Sequence, residues 1–473
     1  TGNETLAFIP NGVFANLPQL TNPLYNQNHR FFVDGSPQTR DVLLADGDWH
    51  TLLVGGENAG GNSIYALDVT DPSTFTTDAS IASAVKWEFT DVDMGLSFST
   101  PAIVRSNAVT VKDSASKKKV DGFAVLFGNG YNSTTGDAIF YAVDASSGAL
   151  LRKIDLCKVV PTACSATTPN GLSSITAANT SGVLGIPEDM AYAGDLQGNL
   201  WAIDMSNSKP KKWTAQLLFQ ARDGSGNPQP ITTAPALTPN PNFPVALGLM
   251  AFFGTGQLLT AGDLTDTQTQ TFYGVWDNRL DLASYTTPIP APPYTRANLQ
   301  SQTISIDTSG PVPVVQTTNN PVNLTYAAFT SPALATQEGW YFDMSALDSA
   351  QESARSVTNP QIENGGVVFT TNAMSSSACA VGGSSYLMNA KYDTGGPFAQ
   401  SAIGLGGGIH IGNGTVSGQN PTGVFIGNGY SSAPTTVKSS AGTNVQIIST
   451  ANGLQVVPTI GNKSSRVGWW QVQ

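Results

Sequence analysis

Apolar residues alternate with polar ones over runs of four to eight, the period of a strand with one buried face. One such run, ending at a glycine-rich turn, recurs: LLVGGENAGG (52–61), VLFGNGYNS (125–133), MAYAGDLQG (190–198), MAFFGTGQ (250–257) and VFIGNGYSS (424–432). VVFTTNAM (367–374) is a glycine-poor copy. An aromatic-led strand ending in Asp or Asn follows most copies: YALD (65–68), YAVD (141–144), WAID (201–204), YGVWD (273–277) and YLMN (386–389). A third element often precedes the pair, in which Ser or Thr near a Pro leads into apolar residues: GSPQ (35–38), STPAIV (99–104), TAPAL (233–237) and TSPAL (330–334).

A small sheet of this kind cannot bury both faces alone. Radial stacking of four-stranded sheets does so and leaves only short edges. The pattern therefore predicts an all-β fold, a modified seven-bladed β-propeller with long loop insertions and little helix. The run ends at Val54, Phe127, Ala193, Phe253, Phe369 and Ile426 are spaced 73, 66, 60, 116 and 57 apart. The doubled interval holds an orphan WYFD (340–343), read as a blade that lost its middle turn. A single domain over 1–473 is expected, with 1–30 as a lead-in and blades over about 31–473. The glycines supply positive φ in hairpins. The repeated aromatic fills space between blades, and the Asp accepts from turn amides. Insertions are expected at 105–121, 157–188, 207–231, 278–325 and 432–460, with PIPAPPY (288–294) as extended loop. SALDSAQESARS (345–356) is the one stretch with helical spacing.

Composition narrows function. Only 12% of residues are charged, about half the usual share, and the net charge is −11. The basic clusters, Lys117–Lys119 and Lys209, Lys211 and Lys212, sit beside turn formers and read as hairpin tips, so no nucleic-acid stripe is expected. No run of 18 apolar residues exists, hence no membrane-spanning segment is expected. The chain opens at Thr1 without an initiator Met or signal peptide, so a leader or larger N-terminal part is expected upstream. Cys157 and Cys164 frame a polar loop, and a disulfide between them would contribute roughly 2.5 kcal/mol. Two free thiols are the other reading. Cys379 is left over.

Catalytic chemistry finds little footing. His29, His50 and His410 lie in different regions and outside any hydrolase or metalloprotease motif. GxG at 128–130, 254–256, 412–414 and 427–429 lies between strands, which makes hairpin turns of them. Asp46 with Asp48, Asp91 with Asp93, and Asp263 with Asp266 are weak candidates for an acid–base pair. No D-x-[DN]-x-[DN]-G loop occurs. The expectation is no enzyme, no catalytic residue and no cofactor.

Particular segments resemble a known family. GGENAGGNSIYALDVTDP (55–72), WEFTDVDMGLSFSTPAIV (87–104), FGNGYNS (127–133), FYAVDASSGAL (140–150) and AYAGDLQGNLWAIDM (191–205) are similar to the C-terminal propeller of PilC/PilY-type type IV pilus tip proteins. Residues 8–37 fit its start and 366–390 its later part. The resemblance implies a secreted tip protein, exported through the periplasm to the pilus tip or outer cell surface. It would support pilus assembly against retraction and adhere to surfaces. Minor pilins or other pilus components, and a host or abiotic surface receptor, would be its partners. Many members carry a calcium loop just before AYAGD. Here only Asp189 matches; counting back by twos gives Pro187, Gly185, Val183 and Ser181, which cannot supply the ligand set. Calcium at this loop is therefore not expected, although it is the one cofactor left open. Tyr131, Tyr430, Trp469 and Trp470 are candidate interface aromatics, with blade packing as the other reading. Two other functions fit aromatic-rich blades: a carbohydrate-binding propeller lectin, and a quinone-cofactor enzyme, whose adjacent cysteine pair is missing here.

Overall fold

The computed structural model describes residues 4–241 except 166, 248–279, 291–323 except 311, 337–373 except 349–352, and 383–459 except 400–402, 404–419, 439–443 and 452. TSPAL (330–334), Cys379, His410, the GxG at 412–414, Trp469 and Trp470 lie outside the described residues. The chain divides into two compact units, 1–197 with 201–217, and 198–200 with 218–472; Gln473 groups with the first.

The first unit opens with an irregular lead-in holding the short helix Asn11–Phe14. Three antiparallel meanders follow. The first runs Gln38–Leu43, Trp49–Gly56, Ile64–Asp68, Val85–Phe89, and the second Ala102–Lys112, Lys119–Gly128, Ile139–Asp144, Leu150–Asp155. The third runs Leu172–Ala178, Met190–Asp195, Asn199–Asp204, Thr214–Gln220, and the division into units crosses its last two strands. Each is the up-and-down sheet of a propeller blade, in the order the repeats predict.

The repeat aromatics do what their spacing implies. Tyr65, Tyr141, Trp201, Tyr273 and Tyr386 are all buried. Phe127 and Tyr141 face each other across neighbouring strands and stack at 5.6 Å; Phe253 and Tyr273 repeat the arrangement at 5.4 Å. Each buried ring of this size contributes about 2–3 kcal/mol through apolar burial. The strand-ending acids accept from the turn that follows: Asp68 from Thr70 N–H, Asp144 from Ser146 and Ser147 N–H, Asp204 from Ser206 N–H. Glycine is required where sheets meet: a Cβ on Gly128 would lie 2.3 Å from the Leu172 carbonyl oxygen. Gly130, at φ +66°, closes against Leu96 in the same way.

In the second unit the fourth sheet is Ala236–Pro239, Leu249–Gly254, Thr271–Trp276, Gly339–Asp343, with Gln300–Gln302 parallel to the last. A seven-stranded sheet joins Ile304–Asp307, Val314–Thr317, Gly423–Asn428, Ser384–Lys391, Gly366–Ala373 and Ala354–Arg355, with Gln361–Glu363 beside Gly366–Ala373. Thr435–Lys438, Asn444–Thr450 and Gly453–Thr459 make a three-stranded sheet.

Seven four-stranded blades are not what this pairing gives: the described strands form six sheets. The orphan WYFD is not a blade of its own. Gly339–Asp343 is the outer strand of the fourth sheet, in register with Thr271–Trp276 (Phe272 opposite Phe342). Trp340 is fully buried and donates its indole N–H to the Tyr392 carbonyl. The doubled interval therefore reflects an insertion within one sheet. All five expected insertions carry structure: 157–188 holds the strand Leu172–Ala178, and 207–231 holds Thr214–Gln220. The 105–121 segment is a long hairpin with Lys117, Lys118 and Lys119 exposed at its tip, 278–325 supplies three strands, and 432–460 supplies the three-stranded sheet. The helical spacing of 345–356 yields only a 3-10 turn, Ser345–Leu347, and a strand residue pair, Ala354–Arg355, on either side of 349–352, which are not described. There is little helix, and among the described residues none is long and apolar enough to cross a membrane.

Candidate functional site

The motif AGDLQGNLW builds a buried polar hub. The strand Met190–Asp195 ends with its last carboxylate fully buried, and a turn leads into Asn199–Asp204. Asp195 accepts from the Asn170 side-chain amide (3.0 Å), the Trp201 indole N–H (2.9 Å) and the Gln197 backbone N–H (2.9 Å). Three donors converge on one carboxylate from segments 25 residues apart. Asp195→Ala leaves the indole and amide without their acceptor, and is expected to lower stability by about 3 kcal/mol. A denaturant midpoint checks this, and a loss below about 1 kcal/mol would mean that water replaces the carboxylate.

Immediately before this motif, residues 179–189 form a loop between Leu172–Ala178 and Met190–Asp195. Asp189 accepts from Thr180 N–H (2.8 Å) and Thr180 Oγ1–H (2.7 Å). Asn179 Oδ1 accepts from Ser181 N–H (2.8 Å) and its hydroxyl (2.7 Å), while its amide donates to the Val183 carbonyl (2.7 Å). Glu188 accepts from Arg40 (3.0 Å) and from Arg105 N–H (2.7 Å). The Arg105 guanidinium donates to the Gly185 carbonyl (2.5 Å). The tip exposes Val183, Leu184 and Ile186.

A charged cluster forms where the second sheet meets the loop after the first. Lys153 bridges Asp91 (2.6 Å) and Asp93, and the Tyr141 hydroxyl donates to Asp91 (2.9 Å). Burial pushes Asp91 up, but the Lys153 ammonium, the Asp93 N–H and the Tyr141 hydroxyl outweigh it and hold the carboxyl below its usual range. Asp137 nearby is pushed up by burial and by the negative charges of Asp155 and Asp93. Asp137, Asp155 and Cys157 are the one group of metal-capable side chains that converges among the described residues. The sulfur of Cys157 is bonded to Cys164, with Cα atoms 5.5 Å apart, and Asp155 pairs with Lys158 at 2.6 Å. This group therefore lacks a thiolate for a metal.

The other sequence candidates separate. His50 Nδ1 meets Asp68 (2.7 Å) and Nε2 meets Asp46 (3.0 Å), so both ring nitrogens are engaged by carboxylates. His29 packs edge-on against Phe31. Asp48 bonds Ser114 rather than forming a pair with Asp46 across a cleft. Asp263 closes its own turn, accepting from Leu259 and Thr260 N–H. Tyr131 is buried and stacked on Phe98 at 5.4 Å, so it serves packing, whereas Tyr430 is exposed. Sequence reasoning missed Lys153, Glu338 and Arg355, whose settings depend on residues about 60 or more positions away.

Comparison with known proteins places these features. Residues 1–312 match the family model of the PilY1 beta-propeller domain. The chain is 33% identical, over 82% of its length, to a type IV pilus biogenesis factor PilY1 homolog of Xylella fastidiosa. It is 34% identical, over 72% of its length, to the type IV pilus biogenesis factor PilY1 of Pseudomonas aeruginosa. It covers 24% and 29% of those proteins, respectively. The crystal structure of the Pseudomonas aeruginosa PilY1 C-terminal domain superposes with a TM-score of 0.72 at 26% identity, covering 98% of this chain and 89% of that one. With residues 1–312 in the family model, about two thirds of its length, the chain belongs to the PilY1 β-propeller domain family.

Proposed function

We propose that this chain is a non-enzymatic, pilus-associated propeller that supports type IV pilus biogenesis and surface adhesion. The observation that carries the reading is the superposition over 98% of the chain on the PilY1 C-terminal domain. Minor pilins or other pilus components, and a surface receptor, are its partners, met at the outer cell surface after export through the periplasm. The Cys157–Cys164 bond fits an oxidising compartment. We read the three meanders, the fourth sheet and the seven-stranded sheet as five blades, with the three-stranded sheet appended.

A non-enzymatic role is supported by the engagement of both His50 nitrogens and by the closed hydrogen bonding of Asp263. The lectin alternative needs a repeated exposed aromatic, and the repeated aromatics are buried. No observation favours the quinone-cofactor enzyme.

The test is a pull-down from envelope extract with the purified chain as bait, read by mass spectrometry. Enrichment of minor pilins or pilus assembly proteins is expected. If these are present in the extract and never enriched, the assembly role is lost, and receptor and glycan screens address the adhesive one.

A further inference from the structure

Loop 179–189 stands where the resembling family places a calcium ion. Calcium takes six to eight oxygen ligands at 2.3–2.6 Å, several of them carboxylates. The donor set here does not fit. The loop holds two acids, Glu188 and Asp189, and its other polar side chains are Asn179, Thr180 and Ser181. Both Asp189 oxygens are taken by Thr180, and both Glu188 oxygens by Arg40 and the Arg105 N–H. The Asn179 oxygen is taken by Ser181. The loop carbonyl of Gly185 is already capped by the Arg105 guanidinium, and that of Val183 by the Asn179 amide.

Two arginines thus bring positive charge to the loop. Arg40 reaches Glu188 from the strand Gln38–Leu43 while donating to the Ile103 carbonyl (2.6 Å). Arg105 reaches Gly185 from Ala102–Lys112. A calcium ion entering the loop would meet two fixed guanidinium groups and would have to displace charge-assisted hydrogen bonds.

We infer that this loop is latched by protein groups in place of a metal: Thr180 and Asp189 close its neck, Arg40 and Arg105 fix its far side, and its shape is independent of calcium. The latch accounts for how a loop with an apolar, solvent-facing tip can be held in one conformation. Its two ends are joined by one residue, Thr180, whose backbone N–H and hydroxyl both donate to the Asp189 carboxylate.

The experiment is amide hydrogen exchange on the purified chain, comparing millimolar calcium with excess chelator and reading Thr180, Ser181 and Val183. These three amides donate within the loop. In the native chain their exchange is expected to change by less than about twofold between the two conditions. Thr180→Val, which removes one donor to Asp189, is expected to speed their exchange about tenfold, and Thr180→Ser to restore it. Calcium titration followed by calorimetry is run on the native chain and on Asp189→Asn. Slowing of loop exchange by calcium, or binding heat that Asp189→Asn abolishes, would overturn the inference. Unchanged exchange in Thr180→Val would also overturn it, because the latch would then not hold the loop.

Discussion

Glu338→Gln is expected to stabilise the chain at pH 8 and to leave its stability nearly unchanged near pH 4.5. Glu338 is fully buried, just ahead of the strand Gly339–Asp343, with its backbone tied on both sides: its N–H donates to the Asn298 carbonyl and its carbonyl accepts from Trp276 N–H. Burial, reinforced by the charge of Asp277 and opposed by a hydrogen bond from Asn278, pushes the carboxyl up to about 8. The folded chain therefore keeps a proton that the unfolded chain releases near 4.5. The contribution of this carboxyl to stability is fully present below 4.5 and is lost as pH rises toward 8. The slope is at most about 1.4 kcal/mol per pH unit, with a ceiling of about 5 kcal/mol across the window. Glutamine keeps the shape and removes the proton linkage. Denaturant midpoints of the two chains from pH 4.5 to 8 should diverge steadily. Asp348, pushed up to about 6 by burial, and Glu57, also raised by burial, contribute equally to both chains and cancel in the difference. Parallel pH profiles would show that the Glu338 carboxyl ionises in the folded state without cost.

Arg355→Ala is expected to cost about 3–5 kcal/mol, measured by urea unfolding. Arg355 is only 2% exposed, and its guanidinium is held by backbone oxygens: those of Gln257 (2.8 Å), Asp263 (2.7 Å), Asp266 (2.9 Å) and Ser353 (3.3 Å). Burial pulls the group below its usual range, while the nearby carboxylates of Asp266, Asp263 and Asp348 oppose this and keep the charge favourable. Removing the side chain deprives three carbonyls of the turn at 257–266 of their donor and opens a cavity. Arg355→Lys should recover little, because one ammonium cannot reproduce the flat fork that meets carbonyls in several directions. A loss under about 1 kcal/mol would mean that the turn is held by the Asp263 capping bonds alone.

The parts of this fold that could be read from the sequence depend on local chemistry. Tyr65, Tyr141, Trp201 and Tyr273 lie in strands whose alternation and following turns are visible within ten residues, and their burial follows. The strand-ending Asp68, Asp144 and Asp204 cap the turns their spacing implies. Pairing across long separations was not legible. WYFD carried a blade-like signature, yet which sheet it joins depends on a register with Thr271–Trp276 that no local pattern encodes. The stretch 345–356 had helical spacing, but Ala354 and Arg355 are claimed by pairing with Ala373 and Asn372. In the candidate site, Asp189 was readable as an isolated acid. Its partner Thr180 was hidden because a threonine nine residues away carries no signal of its own. Arg40 lies 148 positions from Glu188 and was further out of reach.

The insertion within the fourth sheet also bears on how the chain reaches its fold. Ile139–Asp144 and Leu150–Asp155 pair across five intervening residues, whereas Thr271–Trp276 and Gly339–Asp343 pair across 62. In the logarithmic scaling of loop closure, bringing the second pair together costs about 2 kcal/mol more chain entropy than the first. The second sheet can thus zip locally as soon as its residues emerge, whereas the fourth has no outer edge until residue 343 is available. Until then Thr271–Trp276 presents an open ladder of backbone groups, the kind of edge that invites pairing with a foreign strand. The fourth sheet therefore stays exposed to misassembly longer than the second.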